Sequence, residues 1–377
     1  MINNILIALD SFKGSVSSKD ANSYLAEGIQ GVNSQLNIDM VAIGDGGEGT
    51  LDSLIESLNG DIKIVEGVNS KGEKIDSKIG VLGNTAIIES SDIIGLNRLI
   101  GEPNAYTDSS KGLGLVIKQA LDLDFEEIII TLGGSAINDL GVGMLYALGV
   151  KFYNFNSVEF EPIGANSLSE IYSIDFSGID KRIYNTQFSI LSDVQNSLCG
   201  QKGATYIFGK QKGLLDRDFG KIDNEMFRVA KLMEKELDKT TIDKKMTGAA
   251  GGLGFAFMTV FNSTFYNGIE KTLELIDIEN KIKNSDLIIT GEGSMDSQTY
   301  FGKAPIGISK LAKKYDKYCF AVTGNNDLVD YEYQDAFDYI FDLANGPISL
   351  ENSIKNTGNL LKLQGKQIAR IVNLINK

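Results

Sequence analysis

The sequence predicts an α/β protein of two α/β domains, one a Rossmann-like parallel sheet and the other a large insertion within it. Short apolar runs end in glycine-rich polar loops and give way to helical periodicity, first at 4–9 and again at 39–43. Strand, loop and helix in that rhythm build a parallel sheet. The rhythm breaks after about residue 68 and returns near 284. The expected limits are therefore 1–68 with 284–377 for the discontinuous first domain, and 69–283 for the inserted one. A chain of 377 residues is long enough to bury two cores.

In chain order, residues 4–9 read as a buried strand running into Asp10-Ser11-Phe12-Lys13-Gly14-Ser15. A helix follows, with Ser17 or Ser18 as N-cap and Tyr24, Leu25 and Ile29 on its apolar side. The second strand, 39–43, enters Gly44-Asp45-Gly46-Gly47-Glu48-Gly49-Thr50, and Leu51, Leu54, Ile55 and Leu58 then repeat at helical spacing. Residues 74–90 read as two strands joined through Gly83-Asn84. A helix at 114–123 leads to a strand at 127–132, then to Gly133-Gly134-Ser135-Ala136-Ile137-Asn138-Asp139 and a glycine-containing helix through Leu148. Residues 152–186 look irregular or short-stranded, and 188–191 form a strand reaching Ser192-Asp193. An amphipathic helix is expected over 216–236 and a small-residue helix start over 248–258. The closing βα pattern has strands at 287–289, 318–323 and 338–341, a helix opening near Pro305, and a last helix over 350–376.

Composition excludes much. The net charge of −14 disfavours nucleic acid and anionic membranes as partners. With no histidine, Ser-His-Asp triads, histidine metal sites and phosphohistidine chemistry are all removed, and a general base must be a carboxylate, lysine, tyrosine or water. Cys199 and Cys319 match neither a metal spacing nor a disulfide framework. The brief apolar start meets Asp10 almost at once, so no signal peptide is expected, and no apolar run reaches membrane-spanning length. A reducing cytoplasmic setting fits these features. A homodimer is one assembly the sequence allows.

Chemistry concentrates at the expected strand ends, where open α/β sheets bind ligands. After Leu287-Ile288-Ile289 the chain turns at Gly291-Glu292-Gly293 and then carries Asp296, Gln298, Thr299 and Lys303. Carboxylates for a metal beside a lysine for phosphate make this stretch a candidate phosphoryl-transfer loop, against the alternative of an ordinary charged surface connection. Asp10, Ser11, Lys13 and Gly14 put a carboxylate and an ammonium at another strand end. Asp45 and Glu48, set among Gly46, Gly47 and Gly49, suit a hard cation such as Mg²⁺. Gly133, Gly134 and Ser135 ahead of Asn138 and Asp139 suit a helix-start anion nest, with N-capping by Ser135 or Asn138 as the plainer reading, and both can hold. Gln211-Lys212-Gly213 is a weaker signal of the same kind. Neither a Walker A pattern nor a protein-kinase signature set is present.

Taken together these stretches resemble the glycerate kinase family of the bacterial glyoxylate and aldarate pathways, the type that makes 2-phosphoglycerate. The resemblance rests on Asp-Ser-Phe-Lys-Gly-Ser at 10–15, Asp-Gly-Gly-Glu-Gly-Thr at 45–50, Gly-Gly-Ser-Ala-x-Asn-Asp at 133–139 and Asp-Val-x-Asn at 193–196. It continues through Gln-Lys-Gly at 211–213, Gly-Ala-Ala-Gly-Gly-Leu-Gly at 248–254, Thr-Gly-Glu-Gly-x-x-Asp-x-Gln at 290–298 and Gly-Lys-x-Pro at 302–305. It implies ATP-dependent phosphorylation of D-glycerate with Mg²⁺, on a two-domain α/β architecture with the site in the cleft. Under it, Lys13, Lys212 and Lys303 are candidates for the substrate carboxylate and ATP phosphates, and Asp45, Glu48 and Glu292 for Mg²⁺. Asp193 and Asp296 are candidates for the hydroxyl proton. Ser135, Asn138 and Asp139 would shape a polyol or phosphate pocket.

The chain departs from the family pattern at Ser294, where arginine is usual, and at Ser197 and Lys210, where proline is usual. Ser294 favours one rival reading, a sugar-acid sensor that has lost turnover. A second rival, a nicotinamide-dependent dehydrogenase, calls for a Gly-x-Gly-x-x-Gly after the first strand, where Asp10 to Gly14 stand instead.

Overall fold

Every apolar run flagged in the sequence at 4–9, 127–132, 188–191 and 287–289 lies in a buried strand, because a strand covered on both faces excludes polar side chains. The computed structural model describes residues 1–44, 46–99, 101–295, 304–327, 336–344 and 346–377. Its elements begin β1 (Asn4–Leu9), α1 (Ser18–Gln30), β2 (Asn37–Met40), α2 (Thr50–Ser57), β3 (Asp61–Val68), β4 (Lys74–Leu82), β5 (Thr85–Glu89), α3 (Ser90–Ile94) and α4 (Lys111–Asp122). They continue β6 (Glu127–Thr131), α5 (Val142–Ala147), β7 (Lys151–Tyr153), β8 (Glu159–Phe160), β9 (Ser173–Asp175), β10 (Gln187–Leu191), α6 (Ala204–Phe208), α7 (Phe219–Leu237), α8 (Leu253–Val260) and β11 (Ser263–Tyr266). The last are α9 (Gly268–Leu275), α10 (Ile278–Lys283), β12 (Leu287–Met295), α11 (Ala304–Lys314), β13 (Tyr318–Asn326), β14 (Tyr339–Asp342) and α12 (Leu350–Ile375).

The chain divides into two compact units, one of residues 1–45, 52–59 and 269–377, the other of 46–51 and 60–268. The first holds a five-stranded sheet in the order β14-β13-β12-β1-β2, parallel throughout. Ile5, Ile7 and Leu9 of β1 share a core with Leu25 and Ile29 of α1 and with Leu361 and Ile368 of α12. From β1 the chain leads through α1 to β2 on one side; from β12 it leads through α11 to β13 on the other. Crossovers of one hand running in opposite directions place α1 and α11 on opposite faces. The point where the strand order reverses is thus between β1 and β12, and there the loops part and leave a crevice.

The second unit holds a six-stranded sheet, β11-β10-β6-β5-β4-β3. Its β11, β10, β6 and β5 run parallel, while β4 and β3 are antiparallel. The β4–β5 hairpin turns through Gly83-Asn84 as expected. Strand β3 belongs to this unit because all of its residues from Asp61 to Val68 pair with β4.

Several local expectations shift. The stretch expected to be irregular or short-stranded is short-stranded, a small antiparallel sheet β8-β7-β9 whose strands are too short to show alternation in the sequence. The amphipathic helix opens at Phe219 after a 3₁₀ turn over Asp216–Asp218. Ser17 caps α1, accepting from the Asp20 amide at 3.1 Å, while the Ser18 hydroxyl donates to the Leu9 carbonyl at 2.6 Å. No helix among the described residues is long and apolar enough to cross a membrane.

Candidate active site

In the first unit the strand ends at the switch point carry the polar residues singled out above. The Asp10 amide donates to the Gly291 carbonyl at 2.8 Å, joining the end of β1 to β12, which runs on through Gly291 and Gly293 to Met295 where a turn was expected. Gly291 has no alternative: a Cβ there would lie 1.8 Å from the Val322 carbonyl oxygen. Phe12 is buried and forms a two-way backbone bridge with Val16, so the Asp10–Ser15 loop is folded back and Lys13 is left at its exposed tip. The Ser15 hydroxyl ties this loop to α12, lying 2.7 Å from the Ile354 carbonyl and 2.7 Å from Thr357 Oγ1. A pocket of about 680 Å³ opens here, lined by Asp10, Ser11, Lys13, Glu292, Gly293 and Ser294 among others. Asp10 and Glu292 are both buried. Ser294 Oγ accepts from the Asn325 amide at 3.5 Å. Gly14 lies in the same loop without lining the pocket.

In the second unit the loops after β5 and β6 meet the 46–51 segment. A Cβ on Gly133 would fall 2.5 Å from Gly47 Cα, so the two backbones touch only because neither residue has a side chain. The Gly46 amide donates to Thr50 Oγ1 at 3.0 Å. Glu89, at the end of β5, holds this segment: its carboxylate accepts from the amides of Gly49 and Leu51, both at 3.0 Å, and from Ser91 Oγ at 2.7 Å. Burial pushes the Glu89 carboxyl above its usual range, and those three hydrogen bonds oppose the shift.

The expected anion nest at a helix start does not form at 133–139. The helix opens only at Val142, and the intervening loop turns inward. Asn138 and Asp139 are wholly buried. Asp139 accepts from the Ser110 amide and hydroxyl, each at 2.8 Å, and from the Gly141 amide at 3.0 Å. Asn138 donates to Thr205 Oγ1 at 3.0 Å, while its Oδ1 has no partner. Lys212 is also buried, its ammonium 3.1 Å from Ser135 Oγ and 2.8 Å from the Ile137 carbonyl. Desolvation lowers its pKa to about 7, against the pull of Asp139. Ser135 and Lys212 are therefore brought together, with Gly134 exposed above them and Gln211 exposed beside Lys212. Asp193 is exposed, and its Oδ1 accepts from the Gly268 amide at 2.9 Å. Glu48 is exposed.

Asp45, Asp296, Gln298, Thr299 and Lys303 lie outside the described residues. Among the described residues no three acidic or cysteine side chains are grouped to hold a metal. Glu89 was not singled out in the sequence, although a carboxylate closing the run Thr85-Ala86-Ile87-Ile88 is a visible signal. The hydrogen bonds that tie Ser15 to α12 have no sequence signal, since they link residues 339 and 342 positions apart.

Comparison with known proteins decides the family. The description Glycerate kinase family matches residues 5–373. The chain belongs to the glycerate kinase family. A glycerate kinase of Bacillus subtilis (strain 168) is 36% identical over 376 residues, 98% of each chain. The glycerate 2-kinase of Escherichia coli (strain K12) is 34% identical, covering 97% of each. A crystal structure of a candidate glycerate kinase 2 from Salmonella typhimurium LT2 superposes with a TM-score of 0.87 at 31% identity, covering both chains completely. In this member of the glycerate kinase family, Ser294 faces the pocket at the switch point.

Proposed function

We propose that the protein transfers the γ-phosphoryl group of ATP to a hydroxyl of D-glycerate, with Mg²⁺, and that the product is 2-phosphoglycerate. The match to the glycerate kinase family over residues 5–373 carries this reading. The relative named glycerate 2-kinase supports the 2-position. With it goes the reading of the architecture as a Rossmann-like domain bearing a large inserted α/β domain, active in the cytoplasm, where free thiols such as Cys199 and Cys319 stay reduced.

Phosphoryl transfer needs positioning and charge neutralisation more than covalent help. Lys13, exposed at the tip of its loop, is the proposed partner of the polyphosphate, with Lys303 and Lys212 as further cations. Asp10 and Glu292 fit a hard cation, being two buried carboxylates in one pocket, and Mg²⁺ commonly takes one or two such ligands beside substrate phosphates. They, with Asp45 and Glu48, would hold Mg²⁺, which when bound neutralises charge on the transferring phosphates. Asp193 and Asp296 are proposed to orient the attacking hydroxyl and receive its proton.

The test is a coupled ADP-release assay with D-glycerate, with and without EDTA, and ³¹P NMR of the product. Release that depends on both glycerate and metal, with phosphate on the 2-hydroxyl, is expected. Glycerate binding without turnover would replace this reading with the sensor suggested by Ser294. A 3-phosphorylated product would overturn the 2-position alone.

A further inference from the structure

The pocket at the switch point has two unlike walls. One is polar, from Asp10, Ser11, Lys13 and Glu292. The other comes from the chain after β14 and the first turns of α12. There Leu350, Ser353, Ile354 and Thr357 follow one another at i, i+3, i+4 and i+7, so they share a helix face, and all four line the pocket. Leu343 and Ile348 complete this wall. Ile348, Leu350 and Ile354 are 40%, 76% and 39% exposed, a cluster of aliphatic side chains left open beside charged loops. Glycerate gives such a wall nothing to bury, because each of its three carbons carries oxygen. A pocket of about 680 Å³ also far exceeds what that acid fills, and lies in the ordinary range for ligand sites. A purine nucleotide matches both walls: its base has two apolar faces and its other end is a chain of negative charge.

We infer that this pocket takes the adenine nucleoside of ATP. The base packs against Ile348, Leu350 and Ile354, and the polyphosphate runs toward Lys13, Ser11 and the Gly293 backbone. The inference rests on the kinase reading above, and it assigns the nucleotide base to the unit that holds the five-stranded sheet. The Ser353 hydroxyl lies on the same face, where a ribose or a base edge can meet it, while the buried Thr357 hydroxyl is taken up by Ser15 and the Ser353 carbonyl.

The test uses the full chain and ADP as probe. Calorimetric titration with ADP is run on the wild type, Leu350→Asp and Ile354→Asp, beside ATP and D-glycerate kinetics and a thermal melt of each. Leu350 is mostly exposed, so its replacement is expected to leave the fold intact. Each variant should weaken ADP binding and raise the KM for ATP about tenfold or more, with the KM for glycerate changed by less than about twofold. Folded variants that bind ADP as the wild type does would overturn the inference, as would a wild type that binds no ADP. Variants that change only the oligomeric state would also overturn it, by showing that the apolar wall is a contact surface. Variants that weaken ADP binding in a protein that never phosphorylates glycerate would leave the nucleotide pocket standing and overturn the proposed function instead.

Discussion

Two sets of strand-end loops in this molecule are written in the same vocabulary, glycines around a few charged side chains, yet they fold to opposite ends. At the five-stranded sheet the loop returns on itself through Phe12 and Val16 and leaves Lys13 at the surface of a pocket. At the six-stranded sheet the corresponding lysine, Lys212, is turned inward onto Ser135 and the Ile137 carbonyl, and Asn138, Asp139 and Glu89 are buried with it. The difference lies in what each loop can attach to. Among the described residues the 10–15 loop lies against β12 at Gly291 and Gly293 and is tied to α12 through Ser15, whereas 133–139 is bounded by Gly47, Ser91 and Ser110 and has polar partners below it. A charged side chain among so many internal donors and acceptors can leave water, at the cost of a shifted pKa. One loop therefore lines an open pocket, while the other keeps its charged side chains buried.

The largest effect should come from breaking the first side of this contrast. Lys13→Ala removes an exposed cation that buries little, so the melting temperature should stay put. If Lys13 meets the polyphosphate, kcat/KM should fall about 10²-fold, a loss of about 2.7 kcal/mol of transition-state stabilisation. Steady-state kinetics beside a thermal melt measure both quantities. A folded variant with wild-type turnover would move suspicion to Lys303 and Lys212.

Next is the pH response of Lys212. Its pKa is lowered from 10.5 to about 7, so between those values the unfolded chain binds a proton that the folded chain does not. Stability from this group is lowest below pH 7, rises as pH climbs through the window, and levels off above 10.5, with a slope of at most about 1.4 kcal/mol per pH unit. Urea midpoints of wild type and Lys212→Met, taken from pH 7 to 10, give the difference in which other groups cancel. The wild type should gain on the variant as pH rises. A difference that stays flat would mean that Lys212 remains charged when folded.

The frame was legible because its signals are local. Leu287-Ile288-Ile289 reads as a covered strand and is one, but the turn expected at Gly291-Glu292-Gly293 is absent, because β12 continues through it to Met295, paired with β13. The motif 10–15 was legible as a strand-end loop for the same reason, since it follows an apolar strand directly, and with 292–294 of β12 it lines one pocket. Burial of Lys212 and Asp139 was not legible, since whether a charged residue faces water is decided by Ser110 and Ser135, which are 29 and 77 positions away in the chain. The apolar wall was missed because the sequence showed only a last helix over 350–376, with nothing to tell that its first turn, with Leu350 and Ile354, lines the pocket. Such a helix buries the same stripe against the sheet only from Leu361 onward.

The smallest expected effect sharpens the second side of the contrast. Glu89 Oε1 accepts from the Gly49 amide and Ser91 Oγ, and Oε2 accepts from the Leu51 amide. Glu89→Gln keeps the shape and one acceptor oxygen, so the first pair of bonds survives while the Leu51 amide is left facing an NH₂ group. An unmet buried donor costs about 1–3 kcal/mol, but the variant also removes the desolvation of a charge, so the net loss at neutral pH should be about 1 kcal/mol or less. The sign of the pH dependence separates these two contributions. Burial raises the carboxyl pKa in the folded protein, so what Glu89 contributes is fully present below its unfolded value, near 4.5, and is lost as pH rises through the folded value. The deficit of Glu89→Gln should therefore be greatest in acid and shrink toward neutrality, as urea midpoints of the two proteins from pH 4 to 7 will measure. A deficit that grows with pH would mean that the three donors favour the carboxylate over the acid. In that event the second region would carry a stabilised negative charge, and the contrast with the pocket-lining loop would be one of sign as well as of burial.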